Sequence, residues 1–378
     1  MNRRHFLKAL GSTPAAGSLA LAAPALLSAR AARAQTRPPP VEVAGTLWEA
    51  WKTGYLESGG RVIDRLQANS SHSESQGYGA LLAAEFGDDE AFGRIFEWTE
   101  ANLAIRSDPL LAWRWLPDGD VRVPDLNNAS DGDLFYAWAL IRAGRRFDER
   151  AYLDRAAEIA EALAAHCIVP SPENADQMLF LPAVFGFADE ARVVVNPSYL
   201  MPLAMRELAV VTGVAELALA AQHGEALLTR LAAGGLVPDW VAVSETGIGT
   251  AEDFSGNAGY EAIRVPLFLV WSGLAHHPAV GNAMRVYSQA LQPGAPVPTS
   301  IEPISGVVLE VSDDPGYRAV AGLVSCAAQP VDSTDGANAS AIGAMMPAFD
   351  PRQPYYPATL HMFAMLAAHQ AVPVCTPI

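Results

Sequence analysis

Ser73-Glu74-Ser75-Gln76-Gly77-Tyr78-Gly79 runs directly into the small, apolar stretch Ala80-Leu81-Leu82-Ala83-Ala84-Glu85-Phe86. A carboxylate, an amide and an aromatic ring crowd a glycine-rich turn at the mouth of a segment with helical period. Turns attract both glycine and polar side chains, so the string alone proves little. The pattern recurs, however. Asn128-Ala129-Ser130-Asp131-Gly132-Asp133 opens the helical segment 134–143, Asn196-Pro197-Ser198-Tyr199 opens 199–212, and Gly259-Tyr260-Glu261-Ala262 leads into 263–274, while Pro238-Asp239-Trp240 sets a further acid beside a ring. Acids recurring beside aromatics at helix entrances are the ingredients of a sugar-cleaving site.

Working outward, segments of helical period succeed one another at 79–86, 90–104, 134–143, 151–165, 199–212, 216–233, 263–274, 282–291, 337–349 and 358–368, rich in alanine and leucine. Arg192–Val195 and 307–311 are the main strand candidates, and neither is expected to build a sheet. After Pro38-Pro39-Pro40 no low-complexity tract or charge block divides the chain, so residues 35–378 read as one domain. The expected fold is all-α. Helical hairpins in this number, with polar clusters on their entry loops, suit a toroid of paired helices that gathers those loops around an open cleft.

The amino terminus stands apart. Arg3-Arg4-His5-Phe6-Leu7-Lys8, an apolar run to about Leu27 and Ala32-Arg33-Ala34 together read as a twin-arginine export leader, 1–34, removed before Gln35. Pro14, Pro24, Gly11 and Gly17 interrupt the run, which disfavours a retained membrane helix. The expected location is therefore periplasmic or secreted. Removing the leader takes away five basic residues and no acid, so the formal charge falls from −16 to −21. Such a surface repels phosphate backbones and anionic headgroups, excluding nucleic acid and membrane surfaces as partners. Cys167, Cys326 and Cys375 are too few and scattered for a disulfide framework or a zinc site; at most one bridge forms, and the plainer expectation is three small buried hydrophobes.

The histidines show no zinc-type pairing, His276-His277 reads as a solvated loop, and no nucleophile elbow, phosphate loop or dinucleotide fingerprint occurs. What remains is a pair of carboxylates working as acid and base, with no metal or cofactor. Asp131 and Asp133 invite an ordinary explanation, N-capping, which accounts for one but strains to account for both. Asp88-Asp89-Glu90 reads as a plain capped surface helix. Trp113-Arg114-Trp115 on an extended stretch points two indoles to one side, suited to stacking on a sugar face or to core packing; the core reading is the stronger for Trp115. Tyr199 and Tyr260 carry the same two readings.

The ordered set Gly60-Arg61-Val62-Ile63-Asp64, Ser73-Glu74-Ser75-Gln76, Trp98-Thr99, Ala129-Ser130-Asp131-Gly132-Asp133, Phe185-Gly186-Phe187, Asn196-Pro197-Ser198-Tyr199-Leu200, Pro238-Asp239-Trp240 and Ala262-Ile263-Arg264-Val265 resembles family-8 glycoside hydrolases, from about Trp48 to about Ala368. Within that family it is most similar to the periplasmic endoglucanases of bacterial cellulose-synthesis operons. The resemblance implies an (α/α)6 barrel, cleavage of internal β-1,4-glucosidic bonds with inversion, no cofactor, and a functional link to a cellulose synthase complex. It implies Glu74 as general acid, Asp131 as the carboxylate that holds the distorted sugar, Glu261 as base and Arg264 as an orienter. Tyr78 stands beside the acid, and Trp113, Tyr199 and Trp240 shape sugar subsites. Two positions depart from the family pattern: Ser75 replaces a glycine, and Glu261 replaces an aspartate. The longer Glu261 squeezes the attacking water unless the backbone stands back; Glu252 and Asp253 are rival bases. A hydrolase of chitosan, xylan or mixed-linkage glucan, and a glucan-binding protein with weak turnover, are the competing readings. A single domain with an acid-rich cleft suggests a monomer.

Overall fold

The computed structural model describes residues 40–292, 294–329 and 346–376. The expected leader, and most of the expected helix 337–349, lie outside them. The chain is an (α/α)6 barrel, with eleven α-helices among the described residues. They are α1 Pro40–Tyr55, α2 Ser73–Phe86, α3 Asp89–Asn102, α4 Ser130–Arg146, α5 Arg150–Cys167, α6 Pro202–Thr212, α7 Ala215–Ala232, α8 Arg264–Trp271, α9 Pro278–Ala290, α10 Pro315–Ala327 and α11 Tyr355–Ala371.

Burial sorts these helices into two layers. In α2, α4, α8, α10 and α11 buried residues run right around the helix, as an inner position demands. Helices α3, α5 and α7 bury one stripe each and form part of the outer layer. The inner ring meets in an aromatic cluster. Tyr78 packs edge-on against Phe135 and Phe363 at 4.7 and 4.8 Å, Phe268 lies 5.2 Å from Phe135, and Trp271 lies 5.2 Å from Phe363. Rings from α2, α4, α8 and α11 thus share one centre, which closes the barrel.

Helices α2 and α4 approach most closely. A Cβ on Gly77 would stand 2.9 Å from the Tyr136 nitrogen, and one on Gly132 would stand 2.6 Å from the Glu74 nitrogen. Two missing side chains therefore let the two helix entrances touch backbone to backbone. Ser75, the residue that departs from the family pattern, closes a capping box: its hydroxyl donates to the His72 carbonyl and accepts the His72 N–H, both at 2.9 Å. Asp88 caps α3 as expected, accepting from Ala91.

Several expectations need correction. Arg192–Val195 does build a sheet, pairing antiparallel with Val241–Ser244, which pairs with Gly247–Thr250; Val308–Ser312 pairs with Val297–Ile301. The partners escaped notice because Val297–Ile301 contains proline and is buried throughout, so it shows no alternation. Helices α1 and α10 were not anticipated; α10 carries Gly316 and Gly322 and is buried on nearly every side. His277 caps α9 by accepting from Ala279 and is half-buried, unlike its exposed neighbour His276.

Cys326 and Cys375 form a disulfide between α10 and the turn after α11, and Cys167 is the buried free thiol. The bridge spans 49 residues, a loop whose closure restricts the unfolded chain by about 4 kcal/mol. Cys326→Ser and Cys375→Ser, singly or together, are expected to lower Tm by similar amounts. Thermal melts that leave the double variant at the wild-type Tm would show the bridge to be dispensable.

Candidate active site

Four chain segments bring their polar residues to one guanidinium. Arg264 is the first residue of α8 and is 1% exposed. Its Nη1 donates to Glu74 Oε2 at 2.6 Å, to the Tyr78 hydroxyl at 2.9 Å and to Asp131 Oδ2 at 3.2 Å. Its Nη2 donates to Ser198 Oγ at 2.6 Å and to Glu261 Oε2. The Tyr199 ring lies 5.6 Å from the guanidinium carbon. Desolvation works against the charge on Arg264, yet the surrounding Tyr78, Tyr356, Glu261 and Glu74 hold it well above its ordinary range.

Exposure divides the three carboxylates. Asp131 is sealed at 1% side-chain exposure, while Glu74 keeps 12% and Glu261 keeps 16%. A substrate reaching this cluster therefore meets Glu74 on one side of the guanidinium and Glu261 on the other. Glu74 and Asp131 occupy the first turns of α2 and α4, where free N–H groups and the helix dipole favour negative charge. Glu261 stands on the turn before α8, and its Oε2 also accepts from Asn196 Nδ2 at 3.2 Å.

The aromatic candidates divide by burial. Tyr78 is fully buried one helical turn from Glu74 and reaches the site through its hydroxyl on Arg264. Trp113 is half-buried, donates from Nε1 to Asp125, lies parallel to the His72 ring at 6.3 Å, and carries Arg114 at 4.7 Å from its ring centre. Tyr199 and Trp240 are 2% and 7% exposed; Trp240 stacks on Phe254 at 4.5 Å and Phe187 at 5.8 Å. Trp115 packs edge-on against Trp98 at the margin of the core. Of the rival acids, Asp253 is 76% exposed with its carboxylate 4.0 Å from Arg192, and Glu252 is also exposed. Glu261, by contrast, shares Arg264 with Glu74.

Four residues of this architecture were not singled out from the sequence. Asn196 and Ser198 stand in the string that supplied Tyr199, Asp239 in the string that supplied Trp240, and only Tyr356 lies in no motif. Asn196 Oδ1 accepts from the Ser198 hydroxyl at 2.7 Å, and Asp239 accepts from the backbone at Gly259 and Ala262. The cap position of α4 is Ala129, and Asp131 accepts from the first-turn N–H of Gly132 at 2.8 Å, the entrance role expected of one of the two acids. Asp133 instead accepts from Leu111 N at 2.7 Å and Asn128 Nδ2 at 2.9 Å, fastening the loop that leads to Trp113.

The model of glycosyl hydrolases family 8 matches residues 12–370. A protein of Novacetimonas hansenii named probable endoglucanase is 32% identical over 289 residues, covering 75% of this chain and 82% of the relative. An endoglucanase of Cellulomonas uda is 33% identical over 231 residues, covering 60% of this chain; the chain spans 64% of that relative's length. Among solved structures, an endo-β-1,4-glucanase of Acetobacter xylinum superposes with a TM-score of 0.74 at 27% identity, covering 88% of this chain and 99% of that one.

Burial pushes Asp133 up to about 7, and burial, with the charge of Glu261 added, pushes Asp239 up to about 7. An acid that keeps its proton to about pH 7 when folded, but loses it near pH 4 when unfolded, favours the folded chain below pH 4. That advantage drains away as pH climbs from 4 to 7. His361, pushed down to about 4 by burial, acts oppositely over much of this window, so a difference measurement is required. Asp133→Asn cannot bear the charge, and its Tm relative to wild type is expected to rise between pH 4 and pH 7.5, by an equivalent of at most about 4 kcal/mol. A difference that stays flat across these melts would contradict it.

Proposed function

Because the chain belongs to family 8 of the glycosyl hydrolases, we propose that it cleaves internal β-1,4 bonds of a glucan with inversion, Glu74 acting as general acid and Glu261 as general base. The observation that carries this reading is the pair of partly exposed carboxylates on opposite terminal nitrogens of the buried Arg264. The names of the relatives, endoglucanases in each bacterium cited, support the β-1,4-glucan as substrate.

The chemistry follows from the arrangement. Glu74 gives its proton to the glycosidic oxygen as the bond from the anomeric carbon breaks, and the leaving chain departs as an alcohol. A water on the opposite face attacks that carbon and gives its proton to Glu261, so a β-linkage becomes an α-hemiacetal. An inverting pair stands roughly 6.5–9.5 Å apart to admit this water. Sharing the two ends of one guanidinium limits the separation of the contacting oxygens of Glu74 and Glu261 to about 8 Å, a limit that overlaps the range an inverting pair requires. Asp131, buried at 1% exposure, shares Arg264 with Glu74 and in this reading steadies the guanidinium between the acid and the base. The reaction requires Glu74 to carry a proton when the substrate binds.

Export by the twin-arginine leader is part of the proposal, and the Cys326–Cys375 bridge supports it, since disulfides persist in oxidising compartments. Proton NMR of cellohexaose during hydrolysis tests the reaction. Fresh α-anomer is expected before mutarotation, with kcat lowered roughly 10²–10⁴-fold in Glu74→Gln and in Glu261→Gln. Fresh β-anomer would overturn inversion, and cleavage of chitosan or xylan but not cellohexaose would overturn the glucan assignment.

A further inference from the structure

Glu261 stands on a turn, not in a helix, so whatever fixes that turn fixes the base. Asp239 Oδ1 accepts from the N–H of Gly259 and from the N–H of Ala262, both at 2.8 Å. These two donors bracket Glu261 in the chain. The Asp239 backbone is itself tied in, its N–H donating to the Asn257 carbonyl at 2.7 Å. On the incoming side Ala258 exchanges two backbone hydrogen bonds of 2.9 Å with Ile301, which anchors the turn to the edge of a strand. The Tyr260 carbonyl, next to Glu261, accepts from the hydroxyl of the half-buried Tyr356 at 2.6 Å.

Gly259 adds the decisive constraint. A Cβ on this residue would stand 2.6 Å from Asp239 Oδ2 and 3.4 Å from its carboxyl carbon. Asp239 is only 6% exposed and has both backbone donors on its other oxygen, so it is not free to swing aside. The turn therefore lies as close to Asp239 as a backbone can, and only a residue without a side chain permits it.

We propose that Asp239 is the positioning residue for the base, and that its contact with Gly259 holds the turn back far enough for a glutamate to work where the family pattern has an aspartate. The proposal rests on Glu261 being the base. It accounts for two facts together: a buried carboxylate spent on two backbone N–H groups, and a glycine packed against it with no room for a side chain. A displacement of about 1 Å at a reacting group costs on the order of 10² in rate, which is the scale of one methylene.

Steady-state kinetics on cellohexaose tests it, with circular dichroism and Tm recorded for every variant. Asp239→Ala is expected to lower kcat by about 10²-fold with KM little changed. Asp239→Asn keeps an oxygen for the two N–H groups and is expected to recover most of that loss. Gly259→Ala forces the turn away from Asp239 and is expected to lose kcat as Asp239→Ala does. The double variant Gly259→Ala with Glu261→Asp shortens the side chain as the turn moves out, and is expected to exceed both single variants in kcat, a coupling that general destabilisation does not produce. A folded Asp239→Ala with wild-type kcat overturns the proposal, as does an Asp239→Asn no better than the alanine or a double variant worse than either single. Failure of the underlying reading is separately visible: Glu261→Gln would then turn over like wild type.

Discussion

Everything in this site answers to the charge on Arg264. A guanidinium that is 1% exposed must find partners for its charge within the protein, because removing it from water without them costs several kcal/mol. The chain supplies three carboxylates, a phenol and a serine hydroxyl, drawn from α2, α4, the turn before α8 and the Asn196-Pro197-Ser198-Tyr199 string. The dependence is mutual, since Asp131 is as buried as the arginine and has its charge met by it. Arginine suits the place because it does not lose its proton and because its two terminal nitrogens can face two directions at once. A cation at the first residue of a helix opposes the helix dipole, so the surrounding acids also offset an unfavourable position.

The barrel explains why such a cluster can exist. Inner helices packed on all sides present their entry turns, not their flanks, to the opening, and entry turns are where unpaired N–H groups welcome carboxylates. Glu74 and Asp131 both use this. The aromatic centre formed by Tyr78, Phe135, Phe268, Trp271 and Phe363 lies directly beneath, and Tyr78 belongs to both layers, its ring in the core and its hydroxyl on Arg264.

The sequence disclosed the parts that depend on local pattern. Helical period located most of the helices, and the recurrence of acids at their entrances located Glu74, Asp131 and Glu261. It did not disclose what depends on partners distant in the chain. Asp133 and Asp239 resemble other loop acids until the backbone groups they accept from, around 22 residues away at Leu111 and 20 and 23 away at Gly259 and Ala262, are known. The pairing of Cys326 with Cys375 depends on how α10 and α11 meet. Ser75, which replaces a glycine of the family pattern, completes the helix cap, because a serine at the third helical residue can reach back to His72. Helix α10 carries Gly316 and Gly322, residues that weaken a helical reading of the sequence.

The backbone contact at Gly77 and Gly132 has a further consequence. Where two helix entrances touch without intervening side chains, no rotamer change can alter their spacing, so Glu74 and Asp131 belong to one stiff block of the barrel. Glu261 stands on a turn joined to the barrel in another way, through the Asp239 carboxylate, the Tyr356 hydroxyl and the backbone of Ile301. The spacing of Glu74 and Asp131 is thus set by the backbone itself, whereas the place of Glu261 rests on a few named contacts that one substitution can remove.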